Sequence, residues 1–207
     1  MAQPRQVFSF SQQFLNSGKS LDILVNNAGC MVNDREMIEG LEVNFTTNTL
    51  STYILTKALM PLVAKSDKPR IYIVSSGGML TQKLNWQDLN HEKMSKFDGT
   101  SVYAQNKRQQ VIIFSQIEFI LVLIIFIFPS RKVVMAEYLA RTNPNIYFAT
   151  MHPGWSDTPA VQTSMPSFRE KMINKLRTPE QGADTLVWMC CFDNIEKFPN
   201  GSFFQGL

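Results

Sequence analysis

Three short apolar runs, each followed directly by small polar residues, most constrain what this chain can fold into. The runs occupy residues 21–25, 71–74 and 146–151, and they end at Asn26-Asn27-Ala28-Gly29, Ser75-Ser76-Gly77-Gly78 and His152-Pro153-Gly154. Nearly continuous apolar runs of this length are typical of strands covered on both faces of a parallel sheet. Because such sheets bind ligands beyond the carboxyl ends of their strands, we expect these polar residues to meet at one edge. The sequence therefore predicts an α/β fold.

Helical periodicity fills the intervals between the strands. We predict helices over residues 4–17, 39–62 and 179–191, another helix around Tyr103, and a short final strand over 201–204. The last helix is expected to carry Ala183, Leu186, Val187 and Cys190 inward. Asn48 lies within the apolar stripe of the second helix, and a buried amide must find partners. It is either a structural hydrogen-bonding group or part of a site, and spacing alone favours the structural interpretation.

The bulk composition limits the classes of function. With 207 residues, 44% hydrophobic and 18% charged, the chain can bury one substantial core, and one globular domain is expected. A net charge of +3 without a basic run gives no electrostatic case for nucleic acid. Its three cysteines form neither a disulfide framework nor a zinc-ligand spacing, so we expect a reducing, cytoplasmic environment and no metal site.

Tyr103 and Lys107 are four residues apart on the helix that follows the second strand. Residues at this spacing share a helix face, so the phenol and the ammonium should point into the same space. A lysine beside a phenol is expected to lower the phenol's pKa from about 10 towards working pH. This pair would suit proton exchange with a carbonyl or alcohol oxygen, although the spacing alone also fits an ordinary amphipathic helix.

The motifs occur in a definite order: strand–Asn-Asn-Ala-Gly, a helix-borne Asn, strand–Ser-Ser, Tyr-x-x-x-Lys and strand–Pro-Gly. Over residues 4–111 and 134–205 this series closely resembles the short-chain dehydrogenase/reductase family. The resemblance implies a single Rossmann-like domain, of which the chain holds the C-terminal part of a doubly wound parallel sheet. It also implies an oxidoreductase that uses NADP or NAD, with NADP slightly favoured, to interconvert a small-molecule carbonyl and alcohol.

The resemblance also assigns site residues. Tyr103 would exchange the proton, Lys107 would lower the tyrosine's pKa and hold the nicotinamide ribose, and Ser76 would bind the substrate oxygen. Asn48 would support a proton-relay water. The cofactor would further contact Asn26, Ala28, Gly29, Pro153, Gly154 and Thr158. Family members often pair through the tyrosine-bearing helix, so a homo-oligomer is expected as well.

Two departures from the family pattern bear on activity. The family opens with a strand, a glycine-rich turn and a helix that bind the pyrophosphate, and no such glycine fingerprint occurs in this sequence. The chain begins at the helix before the family's fourth strand. We therefore expect weak cofactor binding and an impaired or inactive chain, with the alternative of a non-catalytic fragment or mis-spliced product.

The second departure is an apolar insertion at residues 112–133 that interrupts the catalytic helix. Its uninterrupted apolar run of residues 119–128 is shorter than the roughly 20 residues that span a bilayer. Three interpretations stay open: membrane contact through residues 112–128, a buried extra element, and translated non-coding sequence. The last is favoured, because joining residue 111 to residue 134 restores a continuous helical pattern.

Overall fold

A computed structural model of the protein describes residues 1–85, 87–112 and 139–205. Residues 113–133 of the predicted insertion lie outside the described residues. The described strands are β1 (Ile23–Asn26), β2 (Met37–Ile38), β3 (Leu41–Glu42), β4 (Arg70–Val74), β5 (Tyr147–His152) and β6 (Ser202–Gln205). The described α-helices are α1 (Pro4–Leu15), α2 (Val43–Phe45), α3 (Ser51–Val63), α4 (Gly99–Ile112), α5 (Pro159–Ser164), α6 (Pro166–Met172) and α7 (Pro179–Cys191).

The main sheet has the order β1-β4-β5-β6, and each neighbouring pair is parallel. Every residue of β4 and β5 is buried, which explains why these strands read as continuous apolar runs. One face packs Ile71, Ile73 and Phe148 against α1 and α3, and the other packs Tyr72 and Met151 against α7. The predicted α/β fold with a parallel sheet is confirmed.

The predicted helix over residues 39–62 begins too early. Glu39 and Gly40 both have positive φ angles, and they form the turn of the antiparallel β2–β3 hairpin. Glu42 then starts α2, since its carboxylate accepts hydrogen bonds from the backbone N–H groups of Asn44 and Phe45 at 2.9 and 2.7 Å. The helical path continues through a π-helical turn, Thr46–Leu50, into α3.

The last helix forms where the sequence predicts it, and Leu186 and Cys190 pack against the core as predicted, but two other predicted positions differ. Thr178 and Gln181 make a reciprocal capping box at the start of α7. The predicted inward positions of Ala183 and Val187 are wrong, because both side chains are exposed. Gly182 and Met189 are the buried residues, since it is Met189 that packs beneath the sheet with Tyr72 and Met151.

Candidate active site

The carboxyl ends of the parallel strands bring the predicted site residues to one edge of the sheet. Asn26 is the last residue of β1, Ser75 and Ser76 follow β4, and Pro153 follows β5. Helix α4 also reaches this edge. Its Lys107 Nζ atom donates a 2.8 Å hydrogen bond to the carbonyl of Val74, the last residue of β4. These motifs lie at one edge of the sheet, as predicted, because β1, β4 and β5 are parallel and end on the same side.

Tyr103 and Lys107 share a face of α4, as their spacing predicts. The Lys107 Nζ atom lies 5.5 Å from the centroid of the Tyr103 ring. Lys107 is 2% exposed, whereas Tyr103 retains partial access to solvent. Burial lowers the pKa of the Lys107 ammonium to about 8, because removing water penalises its charged form. The lysine is still mostly protonated at neutral pH.

The expectation that Lys107 lowers the pKa of Tyr103 is wrong for this structure. Burial raises the pKa of Tyr103 to about 12, and a hydrogen bond with the Ser76 side chain only partly offsets that rise. The ammonium donates its hydrogen bond to Val74 and not to the phenol oxygen. The phenol is therefore protonated at neutral pH, with Ser76 beside it.

Asn48 lies in the π-helical turn and is fully buried. Its side chain binds both backbone groups of Cys30, accepting from the N–H at 2.8 Å and donating to the carbonyl at 2.8 Å. Its own backbone carbonyl accepts from the side chains of Thr52 and Gln110. Asn48 thus supports the loop that follows β1, which agrees with the structural interpretation, and its part in a proton relay stays a prediction.

Asn44 makes the same kind of contact one helical turn earlier, and sequence reasoning missed it. Its side chain accepts from the Val32 N–H at 2.8 Å and donates to the Val32 carbonyl at 3.1 Å. Asn44 and Asn48 together fix two alternate residues of the loop at Cys30 and Val32. The signal that could have found this residue is the four-residue interval between two asparagines, which places both on one helix face.

The predicted cofactor contacts after β1 differ in burial and in hydrogen bonding. Asn26 is buried, and its amide nitrogen donates to the Thr56 hydroxyl of α3 at 3.0 Å, so it faces the helix layer. Ala28 and Gly29 are exposed on the loop. A Cβ atom added at Gly29 would lie 3.0 Å from Asn48 Oδ1 and 3.6 Å from Lys107 Nζ. The absence of a side chain at Gly29 therefore lets the loop backbone pass close to Asn48 and Lys107.

After β5, the predicted contacts lie on the turn that leads into α5. Pro153 and Gly154 are half-buried, and the Thr158 hydroxyl accepts from the Val161 N–H as the cap of α5. Within the described ranges, no group of three or more His, Cys, Asp or Glu side chains could hold a metal ion. Helices long and apolar enough to cross a membrane are likewise absent from residues 1–85, 87–112 and 139–205.

Comparison with known proteins shows which proteins this chain resembles. A family model described as short chain dehydrogenase matches residues 1–87. Human dehydrogenase/reductase SDR family member 12 is 46% identical over 206 residues, which cover 99% of this chain and 57% of that protein. Over nearly its whole length, the chain is therefore similar to a member of the short-chain dehydrogenase/reductase family. Mouse retinol dehydrogenase 14 is 27% identical over 95% of this chain and 54% of its own length, so the chain spans little more than half of these relatives.

Solved structures of short-chain dehydrogenases share the fold. A short chain dehydrogenase from Escherichia coli CFT073, complexed with NADPH, superposes with a TM-score of 0.66 at 18% identity. The match covers 99% of this chain and 70% of that one. The parallel sheet and its helices thus have the same Rossmann-like fold as that structure.

Proposed function

We propose that this protein is a nicotinamide-dependent oxidoreductase that interconverts a carbonyl and an alcohol, with Tyr103 as the acid/base residue. The observation that carries the proposal is the arrangement of three side chains: Ser76 lies near enough to the Tyr103 hydroxyl to lower the tyrosine's pKa, and the buried Lys107 ammonium lies 5.5 Å from the tyrosine ring. A protonated phenol next to a hydroxyl is suited to donate a proton to a developing alkoxide. The similarity to a dehydrogenase family supports this reaction class.

The residues around Lys107 fit the nicotinamide end of a dinucleotide. An ammonium has three N–H donors, and within the described residues Val74 is the acceptor that Lys107 has. Two donors therefore remain for the ribose hydroxyls, next to Gly29, whose backbone passes close to the lysine. The bound nicotinamide would supply or accept the hydride.

The chain's own residues would handle the proton and the substrate oxygen. Ser76 would hold the oxygen against the Tyr103 hydroxyl, and Lys107 would stabilise the tyrosinate that forms when the proton leaves. Since burial keeps the phenol protonated, the resting site is prepared for carbonyl reduction. Asn48 would position Cys30 and the loop beside Lys107.

The remaining cofactor assignments are part of the same proposal. Ala28, Gly29, Pro153 and Gly154 would line the nicotinamide crevice, whereas Asn26 would support it through its bond to Thr56. NADP is slightly favoured over NAD, and the NADPH complex of the Escherichia coli neighbour is in line with that choice. Homo-oligomer formation, and membrane contact through residues 112–128, stay predictions of the sequence; carbonate extraction of a tagged chain tests the second.

The substitution Tyr103→Phe tests the proton donor. It should lower kcat/KM for carbonyl reduction by about 1,000-fold, because general acid catalysis contributes on this order, and it should leave NADPH affinity nearly unchanged. Tyr147→Phe is the matched control, since its buried hydroxyl has no partner among the described residues and lies at the start of β5, the opposite end of the strand from His152. Unchanged turnover in Tyr103→Phe would contradict the assignment.

Both variants should be measured on the 207-residue chain and, in parallel, on the longest product that its gene encodes. We expect the 207-residue chain to bind NADPH weakly, because its sequence offers no glycine-rich turn for the pyrophosphate. A fluorescence titration that fails to saturate at millimolar NADPH would agree with this expectation. Saturation at micromolar NADPH would overturn it and would also exclude a non-catalytic fragment.

A further inference from the structure

The short turn directly after Ser76 has a sequence that does not fix its own backbone. It is a 3₁₀ turn over Gly77–Leu80, and it begins with two glycines, which lose more conformational freedom on folding than any other residue. Its last residue, Leu80, is 57% exposed, whereas Met79 is 3% exposed and anchors one point of the turn. The backbone on either side of Met79 therefore needs hydrogen bonds from other elements to keep one conformation.

Arg108 supplies two of those hydrogen bonds from helix α4. It comes directly after Lys107, and its Nη1 atom donates to the carbonyl of Met79 at 3.0 Å and to that of Gln82 at 2.7 Å. The first carbonyl lies within the turn, and the second lies two residues after its end. Among the residues that the structure describes, no ion pair involves Arg108. Its charged donor therefore binds backbone carbonyls, and such hydrogen bonds are stronger than those of neutral donors.

The turn determines how the Ser76 hydroxyl is oriented. The Gly78 N–H donates to Ser76 Oγ at 3.2 Å, and the Met79 N–H donates to the Ser76 carbonyl at 3.1 Å. A hydroxyl has one proton to donate and can also accept. Because its oxygen accepts from Gly78, the proton of Ser76 remains for a partner in the site. This polarity suits donation to the oxygen of a carbonyl substrate or to the oxygen of Tyr103.

Two close contacts place the turn between β5 and α4. A Cβ atom added at Gly77 would lie 2.8 Å from Nε2 of His152, the last residue of β5. A Cβ atom added at Gly78 would lie 3.8 Å from the Cβ atom of Ala104 on α4. The imidazole thus limits movement of the turn toward the strand. Loss of the Arg108 hydrogen bonds would release the turn on the side of the helix.

We propose that Arg108 is a positioning residue of this site, which fixes the turn that directs the Ser76 hydroxyl toward the substrate oxygen. This inference rests on the proposed function for the identity of that oxygen. Arg108 would act through Ser76 and not on the substrate, because its Nη1 atom binds the turn. A misplacement of about 1 Å in a group that positions substrate lowers rates by up to about 100-fold. The effect of Arg108 should therefore depend on the presence of the Ser76 hydroxyl.

The pKa of the Tyr103 phenol reports the position of Ser76 without requiring turnover, because the Ser76 side chain lowers that pKa. Replacing Tyr103 by difluorotyrosine gives a single fluorine NMR signal and brings the titration into an accessible pH range. The titration is run on the 207-residue chain in four backgrounds: unchanged, Ser76→Ala, Arg108→Met and the double variant. Circular dichroism first establishes that each is folded, and Arg108→Gln replaces Arg108→Met if the latter is not.

We expect Ser76→Ala to raise the pKa of the phenol, because it removes a donor to the phenolate. Arg108→Met should raise the pKa at least half as much, and the double variant should raise it no further than Ser76→Ala alone. A direct effect of the arginine's charge would persist in the Ser76→Ala background. Additive shifts, or no shift in Arg108→Met, would overturn the inference.

Steady-state kinetics measures the consequence for carbonyl reduction, on the 207-residue chain and on the longest product that its gene encodes. Arg108→Met should lower kcat by about 10- to 100-fold when Ser76 is present, but by less than about 2-fold in Ser76→Ala, with NADPH affinity unchanged. Arg108→Lys should recover most of the lost kcat, since an ammonium can donate to the same carbonyls. Arg35→Met is the matched control, because its Nε atom also donates to a backbone carbonyl, that of Asn90 at 3.1 Å, which lies outside the turn. It should leave kcat unchanged.

The two measurements separate this inference from the proposed function. Non-additive pKa shifts at Tyr103 without any turnover would support the fixing of Ser76 by Arg108 and count against the oxidoreductase. Turnover that Arg108→Met lowers by the same factor with and without the Ser76 hydroxyl would support the oxidoreductase and overturn the positioning role.

Discussion

Two buried cations occupy the two ends of strand β4, and they differ in how completely the protein satisfies them. Arg70 starts the strand, is 5% exposed, and its Nη1 atom donates to the carbonyls of Met189, Cys190 and Phe192 at the end of α7. Lys107 meets the other end of the strand, is 2% exposed, and has Val74 as its acceptor within the described ranges. Within the described residues, Arg70 therefore has three backbone carbonyl acceptors and Lys107 has one.

The difference is the one expected between a cation that stabilises the fold and a cation that, as we propose, binds a ligand. A guanidinium at a helix C-terminus binds unpaired carbonyls and complements the helix dipole, so Arg70 stabilises the junction of β4 with α7. An ammonium kept dry with donors to spare is destabilising for the fold, as the lowered pKa of Lys107 indicates. A buried charge of this kind is typical of functional sites, where a bound ligand can accept the remaining hydrogen bonds.

Replacing each cation by methionine gives the largest contrast. Lys107→Met should lower kcat/KM by about 1,000-fold and raise the free energy of unfolding by about 1 to 3 kcal/mol, because it removes a desolvated charge. Arg70→Met should lower the free energy of unfolding by about 3 kcal/mol, since three carbonyls lose a charged donor. Urea denaturation and steady-state kinetics measure both. A destabilised Lys107→Met would contradict the comparison.

The pH dependence of stability sharpens the same contrast. Lys107 has a pKa of about 8 in the folded chain and an ordinary value of 10.5, so between these values the unfolded state binds more protons. Raising the pH from 8 to 10 should therefore stabilise the folded state, by on the order of 2 kcal/mol relative to Lys107→Met. The window ends at 10 because the Tyr103 phenol, with its raised pKa, acts in the opposite direction above it. Parallel pH curves for the two proteins would refute the assignment.

The smallest expected effect concerns the loop beside Lys107. Asn44→Ala removes both hydrogen bonds to Val32, and it should lower the free energy of unfolding by about 1 to 2 kcal/mol. Thermal denaturation measures the loss. Asn33→Ala is the control, because its exposed side chain donates a single hydrogen bond, to Ser164, and its loss should cost less than about 0.5 kcal/mol. Equal losses would show that Asn44 does not fix the loop.

The sequence was informative where local pattern decides the structure. The buried strands were predictable because burial on both faces imposes continuous apolar residues, and α7 was predictable because Thr178 and Gln181 form its cap. The start of the second helix was not, because periodicity extends past the hairpin turn at Glu39 and Gly40. That turn and the Glu42 cap depend on backbone dihedral angles that apolar spacing does not encode.

The residues that form the site were easier to predict from the sequence than their pKa values and hydrogen-bond partners. The spacing of Tyr103 and Lys107 correctly placed both on one face, but it misjudged the direction of the tyrosine's pKa shift. The pKa of Tyr103 is raised because segments distant in sequence bury its side chain, and the spacing of two residues on one helix does not show that burial. Asn44 was missed for a related reason, since its partner at Val32 is fixed only by the path of the loop.

The asparagine pair has a consequence for local dynamics. Asn44 and Asn48 bind Val32 and Cys30 in the alternating manner of a neighbouring strand, although this loop belongs to no sheet. The backbone amide protons of Cys30 and Val32 should therefore exchange with deuterium as slowly as those of a paired strand, while the exposed amides of Ala28 and Gly29 exchange quickly. The irregular loop would then be rigid at Cys30 and Val32 and flexible at Ala28 and Gly29, directly beside the lysine that we propose to bind the cofactor.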